Sequence, residues 1–463
     1  MRFRNLFVIL MAGVIMIGGS CNKSSVSSDN PLYNSKSQPS SEQSAQFLID
    51  WWKALFQFVA TERLSPPDAS RMFAYISVAL YESQIAGAPE YKSLEGQLNG
   101  LENLPRPEKG EVYDWPTCAI EATYLVQDGM LARYFPAGVS TLNNLYDDQL
   151  DARTEAGISK EVIDRSKEYG KKLSDAILAW SEKDGYVQTR YKQYKAPSRE
   201  GHPEFWEPTD FNQTALEPFW GEHRTFCIKS CDQCDLEPLK YTTDPNSDFY
   251  KQAMQVYLTD KTLTEAQRTT AQYWADDPGE TSTPPGHWMA ILGNFVASEK
   301  MNLDKASEMY VLVATSMADV CITMWHTKFR TDLVRPKTYI NENIEKGWEP
   351  YVETPPFPGY TSGHSGFSAA AAEIMTSLIG DNKPFVDSSH YDVGLLPRTF
   401  TSFRAAADEA AYSRMYGGIH YLFEIQDGSK QGKCVATYVL NHIVTDLRRS
   451  KPDTMASEAE KKE

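Results

Sequence analysis

The sequence predicts a mainly α-helical protein, built as a packed helical bundle. Apolar residues recur at helical spacing along most of the 463 residues, whereas runs of alternating Val, Ile and Thr bounded by turn residues are scarce. Hydrophobic residues make up 41% of the chain and charged residues 23%, as in an ordinary globular protein with a large core. These observations favour helices packed on helices, in which two helical halves could be joined.

Two helical patterns are the clearest. One begins near Val162 and continues through Tyr169, Leu173, Ile177 and Trp180, with charged residues around that apolar face. A second long helix is predicted from about residue 304 to 324. Shorter helical patterns cover residues 45–60, 70–83, 365–379, 403–414 and 430–447. Residues 186–248 are rich in Pro, Trp and Tyr and predict long ordered loops, which often shape or cover a site.

Residues 1–20 are typical of an export signal. A basic start with Arg2 and Arg4 precedes an apolar run from Leu6 to Ile17, which is too short to span a bilayer. The small residues before Cys21 resemble the lipobox of bacterial lipoproteins, which implies a lipid on that cysteine. A plain cleaved signal is the alternative. Lipidated Cys21 would be the only membrane anchor and would place the protein in the cell envelope, at the outer membrane, facing either the periplasm or the exterior.

The rest of the chain divides by composition. Residues 21–45 are polar and predict a flexible tether. Residues 46–255 predict an N-terminal helical half with long loops, residues 256–448 a second half that carries the candidate site, and residues 449–463 a polar tail. The sequence indicates no oligomeric state.

The charge balance excludes one class of partner. The chain has 46 Lys and Arg against 62 Asp and Glu, a net charge of −16. Nucleic-acid binding requires a dense positive surface, so DNA and RNA are excluded as partners. A site for a small anion would need to gather its cations locally.

A first candidate segment contains Trp325, Lys328, Arg335 and Pro336. If these residues continue one helix, Lys328 and Arg335 lie nearly two turns apart and share a face with Trp325. Pro336 would then end the helix and leave the Arg335 guanidinium at a rim, facing a ligand. The alternative is an ordinary solvated face.

A second segment is Ser362-Gly363-His364, directly before a helix rich in small residues. A hydroxyl and an unobstructed backbone N–H at a helix N-terminus form a favourable site for an oxyanion. His364 adjoins this site, although it could instead cap the helix.

A third segment contains Arg414, the pair Gly417-Gly418, His420 and Glu424. The glycines allow a ligand or the backbone to approach closely. Glu424, one helical turn beyond His420, could accept the Nδ1 proton and leave Nε2 as a free lone pair, as expected for a ligand or a nucleophile.

In this order the three segments resemble the signature shared by type 2 phosphatidic acid phosphatases and vanadium-dependent haloperoxidases. Thr361 departs from the usual Pro, and Glu424 from the usual Asp, without loss of a charge or ligand. The resemblance implies the helical bundle of that superfamily. It also implies that His420 bonds the central atom of an oxyanion, vanadate or phosphate, held by Lys328, Arg335, Ser362, Gly363 and Arg414.

Two reactions are implied by this resemblance. In an acid phosphatase, His420 would attack a phosphomonoester and form a phosphohistidine, while His364 protonates the leaving alcohol. In a haloperoxidase with vanadate as cofactor, His420 would ligate vanadium and His364 would manage protons, with hydrogen peroxide and a halide as substrates. Phosphate would compete with vanadate for the site.

The resemblance favours the haloperoxidase, similar to bacterial iodoperoxidases. Trp325 and Phe357 fall where haloperoxidases carry aromatic residues of the halide pocket, although both could be simple core residues. Asp277 lies in a haloperoxidase-like segment and would pair with Arg414. Small phosphatases of the superfamily usually lack a half as long as residues 46–255. Phe357 replaces the His of algal bromoperoxidases, so iodide, the easiest halide to oxidise, is favoured over bromide.

The cysteines and the aromatic loops allow other interpretations. In an exported protein, a disulfide among Cys227, Cys231 and Cys234 is expected, with an iron–sulfur cluster or a zinc site that includes His223 as alternatives. Cys118, Cys321 and Cys434 lie in apolar helical contexts and predict buried thiols. The loops Phe205-Trp206 and Phe219-Trp220 would support a non-enzymatic, glycan-binding lipoprotein.

Overall fold

A computed structural model describes residues 30–132, 135, 139–210 and 213–449. The predicted export signal, Cys21 and the tail beyond residue 449 lie outside the described residues. Within them the chain forms fourteen α-helices and one small antiparallel sheet, which confirms the mainly helical prediction.

The helices are α1 Gln46–Thr61, α2 Pro66–Gln84, α3 Trp115–Leu131, α4 Val139–Glu155, α5 Lys160–Ser181, α6 Tyr186–Thr189, α7 Asp248–Lys261, α8 Glu265–Tyr273, α9 Thr283–Ser298, α10 Leu303–Thr331, α11 Pro336–Asn343, α12 Gly363–Ile379, α13 Phe403–Tyr416 and α14 Leu422–His442. Strands β1 Phe385–Asp387 and β2 Arg398–Phe400 pair between α12 and α13.

Polar side chains determine where several helices begin. Ser65, Ser159 and Ser247 each accept a hydrogen bond from the backbone N–H three residues later, at the starts of α2, α5 and α7. Such caps satisfy donors that a helix leaves without an internal partner. Sequence periodicity did not predict α3 and α9, which are largely buried, although it predicted the equally buried α2 and α10.

Helix α10 forms the centre of the bundle and packs against α2, α12 and α14. It is long and apolar enough to span a membrane, but 94% of its most apolar stretch is buried inside the protein, as in a core helix. Helices α12 and α14 approach closely because Gly432 has no side chain. A Cβ at that position would lie 2.3 Å from the Gly366 carbonyl oxygen. Helix α14 begins at Leu422, earlier than predicted, and so includes Glu424.

The predicted flexible tether is wrong for residues 30–45. Ser40 is buried and its hydroxyl donates to the Gln84 carbonyl at 3.1 Å. The Asn34 side chain donates to the Glu111 carbonyl at 2.8 Å. Short polar side chains therefore attach this segment to the body through backbone carbonyls, and Leu32 and Ala45 pack against the hydrophobic core.

The predicted loops at residues 186–248 are confirmed for the residues described there, apart from α6 and one 3-10 turn. One part pairs with the chain after α10, where the Trp206 N–H donates to the Asp332 carbonyl and the Val334 N–H to the Glu204 carbonyl, at 2.7 and 2.9 Å. Trp206 and Trp220 are buried, so neither is available to stack on a glycan. The glycan-binding interpretation is wrong on this point.

The predicted cysteine pairing is also wrong. Cys234 forms a disulfide with Cys434 of α14, with a Cα–Cα distance of 6.0 Å, so Cys434 is not a free thiol. The long loop returns to α14 across 200 residues, a proximity that local spacing could not indicate. His223 hydrogen-bonds the Thr189 hydroxyl at 2.7 Å and joins no cysteine cluster among the described residues. Cys118 and Cys321 are buried free thiols, as predicted.

Candidate active site

The first segment supplies two buried cations, but not from one helix as predicted. Helix α10 ends at Thr331, and Asp332 adopts a left-handed conformation with φ of 50°. Arg335 is extended, and Pro336 begins α11 instead of ending the preceding helix. Proline suits the first position of a helix, because the N–H that it lacks would have no partner there. Arg335 therefore reaches the site from a short connection that the loop at residues 204–206 holds in place.

Lys328 is fully buried on α10. Its Nζ donates to the carbonyl oxygens of Pro358, Gly359 and Thr361, at 3.0, 3.1 and 2.6 Å. Burial and the nearby Arg335 charge hold the pKa of Lys328 well below its ordinary value. The three carbonyls fix the ammonium group beneath the loop that leads into α12.

Arg335 is also fully buried. Its Nε donates to the Phe357 carbonyl at 2.8 Å and its Nη1 to the Ile419 carbonyl at 3.0 Å. The second terminal nitrogen, Nη2, has no hydrogen-bond partner. Burial lowers the pKa of Arg335 to about 10. A buried guanidinium with an unused donor is costly unless a ligand accepts that donor.

The Ser362-Gly363-His364 segment begins α12 as predicted. The Ser362 hydroxyl caps the helix and accepts from the Ser365 hydroxyl at 2.8 Å. A side chain at Gly363 would face open space, so its backbone is accessible. His364 hydrogen-bonds the Ala275 backbone, and its Nε2 has no partner. Burial, with the Arg414 charge, lowers the pKa of His364 to about 3 and keeps the imidazole neutral.

His420 and Glu424 form the predicted pair. His420 Nδ1 lies 2.7 Å from Glu424 Oε2, and Nε2 lies 3.2 Å from Arg335 Nη1. Burial and the surrounding cations hold the pKa of His420 well below its ordinary value. A neutral ring that donates from Nδ1 leaves a lone pair on Nε2. Gly359 permits this arrangement, because a Cβ there would lie 2.3 Å from Glu424 Oε1.

Arg414, at the end of α13, is the third buried cation. Its Nε donates to the Ser413 hydroxyl at 2.9 Å and its Nη2 to the Ala271 carbonyl at 2.8 Å. Burial lowers its pKa to about 10, although the charge of Asp277 opposes this shift. Burial raises the pKa of Asp277 itself to about 6, even with Arg414 nearby. Asp277 and Arg414 therefore interact electrostatically. They form no direct ion pair in the part of the chain that the structure describes.

A cavity of about 100 Å³ opens beside His364, Arg414 and His420, whereas Lys328 and Arg335 lie behind its wall. Trp325 and Phe357 line it with ring centroids 5.2 Å apart, which places both predicted halide-pocket residues at the cavity. Its wall also includes Asp276, Asp277, Gly363, His364, Arg414 and His420. A larger cavity of about 340 Å³ beside α1 contains none of these residues. We call the group Lys328, Arg335, Ser362, Gly363, His364, Arg414 and His420 the oxyanion pocket.

The sequence did not indicate a second polar group beside the pocket. Asp276, His287, Asp387 and His390 are all buried and in mutual contact, and we call them the Asp–His cluster. They come from three parts of the chain, at Asp276, at His287 and at the pair Asp387 and His390, which meet only through folding. The available signals were the adjacency of Asp276 to the predicted Asp277 and the three-residue spacing of Asp387 and His390.

Comparisons with known proteins agree with this geometry. Residues 308–448 match the VCPO second helical-bundle domain. The chain resembles the crystal structure of a bacterial vanadium-dependent iodoperoxidase, with a TM-score of 0.81 and 34% sequence identity. The match covers 87% of this chain and 97% of that chain. This chain belongs to the vanadium-dependent haloperoxidase family. No curated protein sequence matches the chain significantly.

Other haloperoxidase structures share the fold. The match to a holo-type bacterial vanadium-dependent chloroperoxidase covers 83% of this chain and 94% of that chain, with a TM-score of 0.59 and 14% sequence identity. The apo-type chloroperoxidase gives a TM-score of 0.58 at 13% identity. The helical bundle is therefore that of the family, as the sequence resemblance implied.

Family membership implies vanadate as cofactor, and the residues present fit it. The carboxylates near the three buried cations are Asp277, Glu424 and Asp276. Burial raises the pKa of the first two, to about 6 and about 7, and Asp276 is shared with His287. Arg335 Nη2 and His364 Nε2 both lack partners. Buried positive charge of this density is stable only with a compensating anion. A small, multiply charged oxyanion satisfies that requirement.

Proposed function

We propose that the protein uses hydrogen peroxide to oxidise halides, with iodide preferred and bromide as a poorer substrate. The observation that carries the proposal is the grouping of three buried cations around a neutral His420, which lines a small, largely apolar cavity together with Arg414. Support for iodide comes from the similar bacterial iodoperoxidase. A cavity of about 100 Å³ suits peroxide and halide better than a phosphate ester with a bulky organic group.

In this proposal the oxyanion pocket binds vanadate through charge and hydrogen bonds. Arg335 Nη2, Lys328 and Arg414 neutralise the oxyanion, the Ser362 hydroxyl and the Gly363 N–H donate to it, and His420 Nε2 ligates the vanadium. Bound vanadate supplies a Lewis-acidic centre that activates peroxide for oxygen transfer to a halide. Glu424 acts through His420, because its hydrogen bond to Nδ1 orients the ring and keeps the lone pair on Nε2.

His364 is the proposed proton carrier. Its ring is neutral and its unpartnered Nε2 lies at the cavity wall, so it can accept a proton from incoming hydrogen peroxide. The Ala275 backbone holds the other side of the ring and fixes its tautomer. The neighbouring Arg414 charge favours return of the proton to a leaving oxygen.

The apolar side of the cavity favours iodide. The Trp325 and Phe357 rings offer no hydrogen-bond donor towards the cavity, because the Trp325 indole N–H donates to the Leu216 carbonyl at 3.2 Å. Iodide is large and weakly hydrated, so it loses less hydration energy than bromide on entering such a site. Lys328 Nζ lies 5.0 Å from the Phe357 ring centroid and supplies a positive charge behind the ring.

One experiment separates this function from the phosphatase alternative, which would use the same cations and the same neutral His420. Purified protein is freed of phosphate and then assayed with and without orthovanadate for iodide and bromide oxidation and for hydrolysis of p-nitrophenyl phosphate. We expect vanadate-dependent oxidation of iodide, weaker oxidation of bromide, and inhibition by phosphate. Phosphate release without vanadate-dependent halide oxidation would overturn the proposal.

We also propose that the protein is exported as a lipoprotein with lipid on Cys21, at the outer membrane. The motif before Cys21 supports this proposal. Metabolic labelling with a radioactive fatty acid should mark the wild type and leave Cys21→Ser unlabelled. An unlabelled wild-type protein recovered in soluble form would contradict it.

A further inference from the structure

We propose that Asp276, His287 and His390 form a binding site for a divalent transition-metal ion, with zinc as the best-suited class, separate from the oxyanion pocket. Two imidazoles and one carboxylate are the donor set that zinc and related first-row ions prefer. Among the residues that the structure describes, this is the one set of three such side chains whose ligand atoms converge closely enough to hold an ion.

The three ligand atoms form a nearly equilateral triangle. His287 Nδ1 lies 3.2 Å from Asp276 Oδ1 and 3.0 Å from His390 Nε2, and His390 Nε2 lies 3.1 Å from Asp276 Oδ1. Ligands at ordinary zinc bond lengths in a tetrahedral site are separated by about 3.3 Å. An ion about 1 Å above the plane of this triangle would reach all three atoms and leave a fourth position for water.

Hydrogen bonds alone do not satisfy the triangle. An ionised Asp276 only accepts, so both nitrogens must donate to it if both contacts are hydrogen bonds. The 3.0 Å contact between His287 Nδ1 and His390 Nε2 then joins two donors. If His390 Nε2 instead accepts a hydrogen bond from His287 Nδ1, its lone pair faces the negatively charged Asp276 carboxylate, which repels it. A cation bound by three lone pairs removes this conflict.

The surroundings of His287 are those of a metal-binding histidine. Its Nε2 lies 2.9 Å from Asp387 Oδ2, and the Tyr273 hydroxyl donates to the same oxygen at 2.7 Å. When the Asp387 carboxylate accepts the Nε2–H of His287, it fixes the tautomer of the ring, so the Nδ1 lone pair faces the ion. The Trp274 ring stacks on His287, with centroids 4.4 Å apart, and restricts its rotation.

Charge also favours an ion at this position. Asp276 and Asp387 place two carboxylates in a region where the exposed fractions of His287 and His390 are 0% and 1%. A protonated His287 between them neutralises one negative charge, whereas a divalent ion neutralises both. The Thr281 hydroxyl donates to Asp276 Oδ1 at 3.2 Å and helps to orient this ligand.

The site would influence the oxyanion pocket without being part of it. Asp276 lines the active-site cavity, and its charge acts on both His364 and Arg414. An ion on Asp276 would reduce the negative potential beside the bound anion. The metal is therefore a structural and electrostatic element, and its presence does not depend on the proposed halide chemistry.

The test uses the full-length protein, stripped with a chelator and free of vanadate, with zinc sulfate as the probe. Isothermal titration and elemental analysis after dialysis should give one zinc per chain in the wild type and none in His390→Ala. His202→Ala is the matched control, because His202 is exposed and contacts only nearby residues. Asp387→Asn should weaken zinc binding by about 10- to 100-fold.

The absorption spectrum of bound cobalt(II) gives a second readout, which uses the wild-type protein and so does not require any variant to fold. The wild type should show the visible bands of a tetrahedral site with nitrogen and oxygen ligands. A sulfur-to-cobalt charge-transfer band would instead place the ion at Cys227 or Cys231 and overturn the proposal. Absence of stoichiometric zinc in the wild type at micromolar free metal, or equal binding by His390→Ala, would also overturn it.

Discussion

Two buried charged groups adjoin each other in this protein, and they require opposite partners. The oxyanion pocket gathers Lys328, Arg335 and Arg414 with few compensating carboxylates, whereas the Asp–His cluster places Asp276 and Asp387 around His287. The segment at residues 275–277 belongs to both, since Ala275 holds His364 and Asp276 lines the cavity. A net charge of −16 therefore says little about local sites, because folding separates charge over a few ångströms.

The two groups also differ in how the cost of buried charge is met. In the pocket, backbone carbonyls accept from Lys328 and Arg335, and one guanidinium nitrogen remains without a partner. In the cluster, side chains contact one another directly. The pocket is thus preorganised for an added anion, while the cluster is nearly satisfied and would gain from a cation.

The largest expected effect comes from removal of the proposed vanadium ligand. His420→Ala should reduce vanadate-dependent iodide oxidation by about 1,000-fold, because no other residue supplies that bond. The measurement is kcat at saturating vanadate, with vanadate affinity from isothermal titration. His442→Ala, which replaces an exposed histidine at the end of α14, is the control and should match the wild type. Equal losses in the two variants would contradict the role of His420.

A smaller effect is expected from the carboxylate behind the ligand. Glu424→Gln keeps a hydrogen-bond acceptor for His420 Nδ1 but removes the charge, so vanadate affinity should fall by about 10- to 100-fold. The measurement is the vanadate dissociation constant. Unchanged affinity together with unchanged kcat would show that Glu424 does not act through His420.

These first predictions concern residues that the sequence motif indicated. The residue types, their order and the His420–Glu424 pair were predictable because each motif is local and carries its own chemistry. The path of the chain between motifs was not, since the left-handed Asp332 ends α10 before Arg335. The Cys234–Cys434 bond and the contact between His287 and His390 depend on helix packing across about a hundred residues or more. Periodicity predicted the amphipathic α5 and the buried α10, but it missed α9.

The third prediction concerns Phe357, which lines the apolar side of the cavity. Phe357→His adds a hydrogen-bond donor beside Lys328, which favours the smaller and more strongly hydrated bromide. The ratio of kcat/KM for iodide to that for bromide should therefore fall by about 10-fold. The wild type at the same vanadate occupancy is the control. An unchanged ratio would exclude Phe357 as a determinant of halide choice.

The smallest effect concerns His223, a buried imidazole outside both groups. Burial lowers its pKa to about 4, below the ordinary value near 6.5, so the unfolded chain binds more protons between these pH values. This contribution to stability is present above about pH 6.5 and is lost as the pH falls towards 4, by at most about 1.4 kcal/mol per pH unit. His223→Gln keeps a hydrogen bond to Thr189 and should give a flatter dependence of unfolding free energy on pH. Parallel curves for variant and wild type would contradict the assignment.

The most direct test of the central claim is a crystal structure of the full chain with orthovanadate. We expect vanadium density within bonding distance of His420 Nε2, with its oxygens facing Arg335 Nη2 and the Gly363 N–H. In Arg335→Met, which removes the unpartnered donor, the density should weaken or vanish. Vanadium bound only elsewhere, or bound equally well in Arg335→Met and His420→Ala, would contradict the account.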